Sequence, residues 1–442
     1  MSSGLTTLAD SIQDNRDTPL LIQGNNVVYH DELRAQARTL RNTCSAESAF
    51  SIALQTSDPY QLIIALVAMD GHAQKLLMLP PCMTPEQSAA VCQNELITHI
   101  FSDRGLHSIA AAQEPNSRNA ATDWLFLTSG TTGDPKLIGH TFGELVSKTT
   151  RHVEHENDQR WGLAYQAHRF AGIQVILQAL LSGRPLVLPE SSDAADMAEC
   201  FVENRVTALS ATPSQWRKLL SQGGIQHCGL HQITLGGEIA DQAVLSALRR
   251  AFPESRITHI YASTEAGVGF SVADGLAGFP SNWLNTQRSV RMKQSAQGTL
   301  MLMGSARSKS DTVTARLDPD GYFDTGDSIE VVGDRVYFLG RASGVINVGG
   351  NKVHPEELER LVRQLPEVLD ARVTGRKSPI MGQIVALEVE ASERDGDDVE
   401  MLKKRIREYC RELLPSYKVP AIISVVQRLP VNDAGKIDRK RA

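Results

Sequence analysis

The sequence predicts an α/β fold: a large N-terminal region of parallel-rich sheets covered by helices, then a small, separate α+β unit. Three observations carry this. From about residue 183 to 260, short apolar runs alternate with helical stretches. After about Gly298 the pattern turns to short β runs with Gly-Asp turns. Beyond about residue 343 a further α+β pattern begins. At 442 residues the chain is too long for one ordinary core, so two or three structural units are expected.

The alternating region is read as strands over 185–188, 206–209, 232–235 and 256–260, separated by helices over 193–203, 213–221 and 241–252. Alternation at this spacing implies parallel strands with helices on their faces. Thr212-Pro213 places a capping residue before a proline at the first helical position. Thr84-Pro85-Glu86-Gln87 carries the same signal with a capping-box Gln. Residues 299–303, 328–332 and 335–339 are short β runs, which points to antiparallel pairing. Gly340 to Gly344 reads as a break, so a domain boundary is placed near 340–343. After it come a helix over 354–364, strands over 371–374 and 384–389, and a long amphipathic helix over 399–414.

Composition narrows the function classes. Hydrophobic residues make up 41% and charged residues 22%, as in an ordinary globular protein. The net charge of −6 argues against bulk nucleic-acid binding, which needs a basic footprint. It leaves anionic ligands open, because a nest of backbone N–H groups holds phosphate whatever the net charge. Six scattered cysteines, with no CxxC, point to reduced thiols rather than to disulfides or a metal site. The first ten residues are polar and lack a signal segment, and no apolar run approaches the roughly 20 residues of a membrane helix. The expectation is a cytoplasmic protein without a membrane span.

The most informative stretch is an apolar strand at 124–127 running into Thr128, Ser129, Gly130, Thr131, Thr132, Gly133, Asp134, Pro135 and Lys136. Glycines let backbone approach a phosphate closely, hydroxyl and N–H groups donate to its oxygens, and a lysine adds a point charge. The loop differs from GxxxxGK[ST], since Lys136 follows a proline and no Ser or Thr comes after it. Composition alone is also that of a flexible polar linker.

The order of these residues closely resembles the phosphate loop of the adenylate-forming superfamily, which holds acyl- and aryl-CoA synthetases, peptide-synthetase adenylation domains and firefly luciferase. Further landmarks follow in the family's order. Gly236, Gly237 and Glu238 resemble its adenine-side loop. Tyr261-Ala262-Ser263-Thr264-Glu265 resembles the segment whose ring stacks on adenine, whose Thr touches the α-phosphate and whose Glu holds Mg²⁺. Alone, Glu265 would read as a solvated loop carboxylate. Thr325-Gly326-Asp327 resembles the turn whose Asp accepts from the ribose hydroxyls, and Arg341 is expected near ribose and phosphates. Alone, Thr-Gly-Asp is a β-turn. The segment from Gly349 and Gly350 to Glu359 resembles the face lining the thiol channel, and Gly435-Lys436 resembles the terminal Gly-Lys motif. Alone, Lys436 is an exposed C-terminal lysine.

The resemblance spans residues 128 to 439 and implies the rest. It implies an N-terminal AMP- and acyl-binding domain over 1–339 that includes a small β-barrel-like part, a hinge at 340–343, and a mobile C-terminal lid over 344–442. It implies ATP, Mg²⁺ and a thiol, either coenzyme A or carrier-protein phosphopantetheine. A carboxylate attacks the α-phosphorus of ATP and pyrophosphate leaves, a step that needs positioning and charge neutralisation. The thiol then attacks the acyl-adenylate after the lid rotates. The hinge residue is Ser343, where most relatives carry Asp or Lys.

Substrate signals are fewer. Peptide-synthetase adenylation domains place an Asp after a Phe to pair with the α-amine, whereas Ala167 to Gly172 here contains no carboxylate. A buried ammonium without a partner is costly, which disfavours α-amino acids. His168 matches the residue of acyl-CoA synthetases that faces the carboxylate; a histidine held by local hydrogen bonds is the alternative. Small or apolar residues over 168–174 and 266–270 suit a fatty or aryl acid. No carrier domain follows Lys436, so the acceptor is expected to come from outside. The N-terminal domain is shorter than in most relatives, which resembles compact free-standing members such as succinylbenzoate–CoA ligases. The expected function is an AMP-forming acid–thiol ligase. A ligase loading a separate carrier protein and a non-catalytic adenylate-binding homologue are the alternatives.

Overall fold

The computed structural model describes residues 7–12, 18–44, 50–109, 121–128, 136–147, 149, 159–263, 267–286, 290–303, 317–379, 381–391, 396–431 and 437–438. Ser129, Gly130, Thr131, Thr132, Gly133, Thr264, Glu265 and Lys436 lie outside the described residues.

Two parallel-rich sheets dominate the N-terminal part. One has six strands in the order β6 (Gly105–Ser108), β5 (His99–Ser102), β3 (Ile52–Gln55), β4 (Lys75–Met78), β7 (Asp123–Thr128) and β8 (Lys136–Thr141). The other has eight, in the order β14 (Gly267–Val272), β13 (Arg256–Ser263), β12 (Gln232–Gly236), β11 (Ala208–Ala211), β9 (Trp161–Leu163), β10 (Leu186–Val187), β1 (Leu21–Gln23) and β2 (Asn26–Val28). The central strands of both are parallel, and antiparallel strands β2, β6, β8 and β14 close the edges.

Side chains alternate across these strands, and the alternation sets the layers. Leu54, Met78 and Phe126 from one sheet share a core with Leu21, Leu163 and Leu186 from the other. Between them lie α3 (Pro59–Met69) and α6 (Phe170–Ser182), which are buried almost all round. On the outer face of the six-stranded sheet, Ala53, Leu77 and Leu125 pack with Cys92 of α4 (Pro85–Asn94). On the outer face of the eight-stranded sheet, Leu209, Ile233 and Ile257 pack against α7 (Ala194–Glu203), α8 (Pro213–Gln222) and α9 (Gln242–Ala251). Before α3, the chain forms α1 (Leu8–Ser11) and α2 (His30–Thr43); α5 (Phe142–Leu145) follows β8.

The capping signals act as expected. The Thr84 hydroxyl accepts from Gln87 N at 3.3 Å while Gln87 Oε1 accepts from Thr84 N at 3.0 Å. Thr212 Oγ1 accepts from Gln215 N at 3.1 Å. Several boundaries move, two of them for a visible reason. The strand expected from residue 206 starts at Ala208, because Arg205 at φ +51° and the Val206 N–H bonded to Phe201 O close the end of α7. The strand expected over 335–339 continues through Arg341, which pairs with Asp327 across the sheet.

Next come two smaller sheets. β15 (Phe279–Pro280), β19 (Arg335–Arg341), β18 (Phe323–Val332), β17 (Thr299–Met303) and β16 (Arg291–Gln294) pair antiparallel in that order. Ser343 lies in the 3-10 turn Ala342–Gly344. The last sheet runs β21 (Asn351–Val353), β20 (Ile346–Val348), β23 (Gly382–Ala391) and β22 (Val368–Ser378), with β24 (Ile422–Val426) parallel to β23. α10 (Pro355–Val362) and α11 (Gly396–Leu413) complete a core of its own. All six cysteines are free thiols, four of them buried. Among the described residues no helix is long and apolar enough to cross a membrane.

Candidate active site

Parallel strands leave a crevice beyond their carboxyl ends, where ligands of open α/β sheets bind. Here β9, β11, β12 and β13 all end on that side. β12 ends at Gly236, and Gly237 follows at φ +81°, a left-handed conformation that suits glycine. Glu238 Oε2 accepts from Ser214 N at 2.9 Å in the first turn of α8, where orphan helix N–H groups favour a carboxylate. Tyr165, just past β9, donates its hydroxyl to Gly236 O at 3.3 Å. Burial, with the Glu238 charge beside it, pushes the Tyr165 phenol upward, so it stays a donor.

On β13, Tyr261 stands opposite Phe270 of β14. Its ring stacks on Phe270 with centroids 5.3 Å apart, and on Phe338 of β19 at 5.1 Å. Its hydroxyl donates to Asp327 Oδ2 in a short hydrogen bond. Arg341 Nε pairs with Asp327 Oδ1 at 2.9 Å, and Arg341 Nη1 donates to Thr325 O at 2.6 Å. The turn itself is held by Thr325 Oγ1, which donates to Leu300 O at 2.8 Å and accepts from Asp327 N at 3.1 Å. Gly326 supplies the φ of +71°. Burial and the Asp327 charge hold the Tyr261 phenol well above its ordinary range.

The crevice continues toward the other sheet. His168 is buried, with 7% exposure, and its Nε2 has no hydrogen-bond partner among the described residues. Burial, reinforced by the adjacent Arg169 charge, pushes the imidazole down to about 3, so it is neutral across the working range. Buried polar atoms are nearly always paired, so this imidazole nitrogen is open to a ligand. Arg169 caps α6 and donates through Nη1 to Leu127 O at 3.4 Å, next to Thr128. Thr128 and Lys136 are direct partners across β7 and β8, so the two ends of the glycine-rich loop meet at this point. α6 starts close against this turn: a Cβ on Gly172 would stand 2.2 Å from Gln166 O. Gly172→Ala is therefore expected to destabilise the chain by about 1–3 kcal/mol, an overpacking cost, in urea unfolding. A variant as stable as the parent would show that the turn has room.

The structure thus brings Gly236, Gly237, Glu238, Tyr261, Asp327 and Arg341 to one end of the eight-stranded sheet, with His168 beside the end of β7. Gly349 and Gly350 lie elsewhere, as the turn of the β20–β21 hairpin, with φ of +57° and +88°. Two positive φ values fit a type I′ hairpin turn. Tyr165 and Phe338 were not read from the sequence as site residues, and Arg169 was read only as part of the pocket stretch 168–174. Tyr165 and Arg169 follow the carboxyl end of β9, and that position is the signal that would have found them.

The sequence model of the AMP-binding enzyme family matches residues 37–301, and that of the AMP-binding enzyme C-terminal domain matches residues 357–436. The chain belongs to the AMP-binding enzyme family. It is an adenylate-forming enzyme. A 2-succinylbenzoate–CoA ligase of Listeria innocua is 26% identical over 328 residues, covering 71% of this chain and 68% of that protein. An o-succinylbenzoate-CoA synthetase of Bacillus subtilis, solved with its acyl-adenylate intermediate, superposes with a TM-score of 0.77 at 20% identity, covering 99% of this chain and 98% of that one. An anthranilate–CoA ligase solved with anthranoyl-AMP gives 0.78 at 17% identity, covering 99% and 96%. The structural likenesses show the AMP-binding fold.

Proposed function

We propose that this AMP-binding enzyme activates an aryl carboxylic acid with ATP and transfers it to coenzyme A. The carrying observation is the linked Tyr261–Asp327–Arg341 cluster beside Gly236–Glu238, at the carboxyl end of the sheet. Adenine lies against Gly236, Gly237 and Tyr261, Asp327 accepts from the ribose, and Arg341 serves ribose and phosphate. The loop from Thr128 to Lys136 takes the leaving phosphates, with backbone N–H groups and a lysine charge. Thr264 contacts the α-phosphate. Glu265 would supply the carboxylate oxygen that Mg²⁺ prefers, and the ion would offset phosphate charge. Among the described residues no group of three or more His, Cys, Asp or Glu gathers to hold a metal.

His168 faces the acid. A neutral imidazole offers one N–H to the carboxylate without pairing it as a counter-ion, so the oxygen stays nucleophilic. Lys436, on a lid over 344–442, bridges carboxylate and α-phosphate, where negative charge gathers. The lid then turns about 340–343, and the Gly349–Gly350 turn replaces the lysine beside the thiol. The succinylbenzoate and anthranilate ligases among the relatives act on aromatic acids, which supports the aryl class, as does the lack of a carboxylate over 167–172.

The test is acid-dependent pyrophosphate release across aryl, fatty and α-amino acids, followed by transfer assays with coenzyme A and with holo carrier protein. Aryl acids should support release, and coenzyme A should accept the product. Release with α-amino acids alone, or transfer to carrier protein alone, would refute the reading.

A further inference from the structure

Two charged side chains of the last sheet grip the backbone on both flanks of the segment that carries Lys436. Arg372 on β22 is 4% exposed. It faces Glu388 on β23, and its Nε donates to Glu388 Oε2 at 2.5 Å. With that pair fixing the guanidinium plane, Nη1 donates to Asp438 O at 2.6 Å. Two residues along β23, Glu390 Oε2 accepts from Leu429 N at 2.8 Å. The flanks also close on each other. Asp438 N donates to Pro430 O at 2.8 Å, and Val431 bridges Ile437 antiparallel. Leu429 and Ile437 are buried at either end, with 2% and 9% exposure.

A buried arginine is an unusual choice for holding one carbonyl. Its planar fork makes the choice intelligible, because one edge is locked by a carboxylate while the other is aimed at the backbone. A lysine in its place would keep the charge and lose the fixed direction. The frame's effect is to restrict where the base of the segment sits relative to the sheet.

We infer that Arg372 and Glu390 are positioning residues for adenylation, acting through Lys436 by fixing both flanks of its segment. This rests on the role given to Lys436 above. A lysine that must reach a developing charge loses rate steeply when misplaced by about 1 Å. Thiol transfer does not use Lys436 and does not need the frame.

The experiment compares full-length Arg372→Lys, Arg372→Met, Glu390→Gln and Lys436→Ala in both half-reactions. The acid is the aryl acid that the parent activates fastest, and the second half-reaction starts from its preformed adenylate. Hydrogen exchange of the peptide over 429–438 is followed in parallel. Both Arg372 variants should lower adenylation kcat about tenfold or more, with the acid KM and the transfer rate within about twofold. Glu390→Gln keeps an acceptor and should fall less. All three should speed exchange over 429–438 and leave the rest of the sheet unchanged. If both half-reactions fall together, or exchange rises across the whole sheet, the residues are merely structural and the inference fails. If Lys436→Ala is inactive in adenylation while the Arg372 variants match the parent, the inference fails and the lysine's role stands. If Lys436→Ala adenylates normally, the lysine's role fails, and the inference with it.

Discussion

Lys436→Ala should lower acid adenylation by about 10²–10³-fold and leave transfer from a preformed acyl-adenylate close to the parent rate. The size follows from removing one preorganised cationic donor at a site of developing charge, worth about 3–4 kcal/mol of barrier. Attack by the carboxylate brings its negative charge against the α-phosphate oxygens. Water screens that repulsion poorly once the crevice closes, so a fixed ammonium matters more than it would on a surface. The asymmetry between half-reactions follows from the order of events. Once pyrophosphate has gone, the adenylate is uncharged at the acyl carbon, and on the proposed reading the lysine has left the site before the thiol attacks. Pre-steady-state pyrophosphate release and thioester formation from synthetic adenylate separate the two. Equal losses in a folded variant would remove the lysine from the chemical step.

The same crevice shows what a sequence can and cannot convey. Caps are local, so Thr84 with Gln87 was legible in four residues and the Thr212 cap in the Thr-Pro pair alone. Parallel strands on a helix-covered sheet declare themselves by apolar runs and spacing, which is why β11, β12 and β13 were found to within a few residues. Pairings between distant residues leave no local trace. Tyr165 meets Gly236 71 positions away, and Tyr261 meets Asp327 66 positions away. The resemblance named Tyr261 and Asp327, yet only the structure joins the phenol to the carboxylate. The contact of Arg169 was not legible because its partner is a main-chain carbonyl, which any residue at Leu127 would supply. Gly172 was read only as one of the small residues over 168–174, and the Gln166 carbonyl, 2.2 Å from where a Cβ would stand, explains the glycine.

The largest expected stability loss also comes from partners remote in sequence. Arg363 follows α10 and is 11% exposed at its side chain. Its Nε pairs with Asp370 Oδ1 at 2.7 Å, its Nη2 with Glu359 Oε2 at 3.4 Å, and its Nη1 with Asp241 Oδ2 at 3.7 Å. Asp241 is the N-cap of α9 and also pairs with Arg217 of α8 at 2.6 Å. The network therefore ties the last sheet to the helices behind the eight-stranded sheet. Arg363→Met leaves Glu359 and Asp370, 1% and 4% exposed, without their shared cation. Breaking a buried pair in this way costs about 3–5 kcal/mol. The pH dependence carries a definite sign. Burial works to raise Asp370, but the charges of Arg363 and Arg217 and the Ala371 N–H outweigh it, and the carboxyl ends below its ordinary range. A depressed carboxyl contributes stability that is present above its unfolded pKa and lost as pH falls through the folded one. Without Arg363, burial dominates and the carboxyl moves upward, so its ionised form opposes folding at neutral pH. The deficit of Arg363→Met should therefore be largest near pH 7 and shrink once pH falls toward about 4, where Asp370 takes up a proton. Urea unfolding of parent and variant at both pH values measures this directly. A deficit that stays constant or grows on acidification would mean that Arg363 contributes through packing of its stem rather than through its charge.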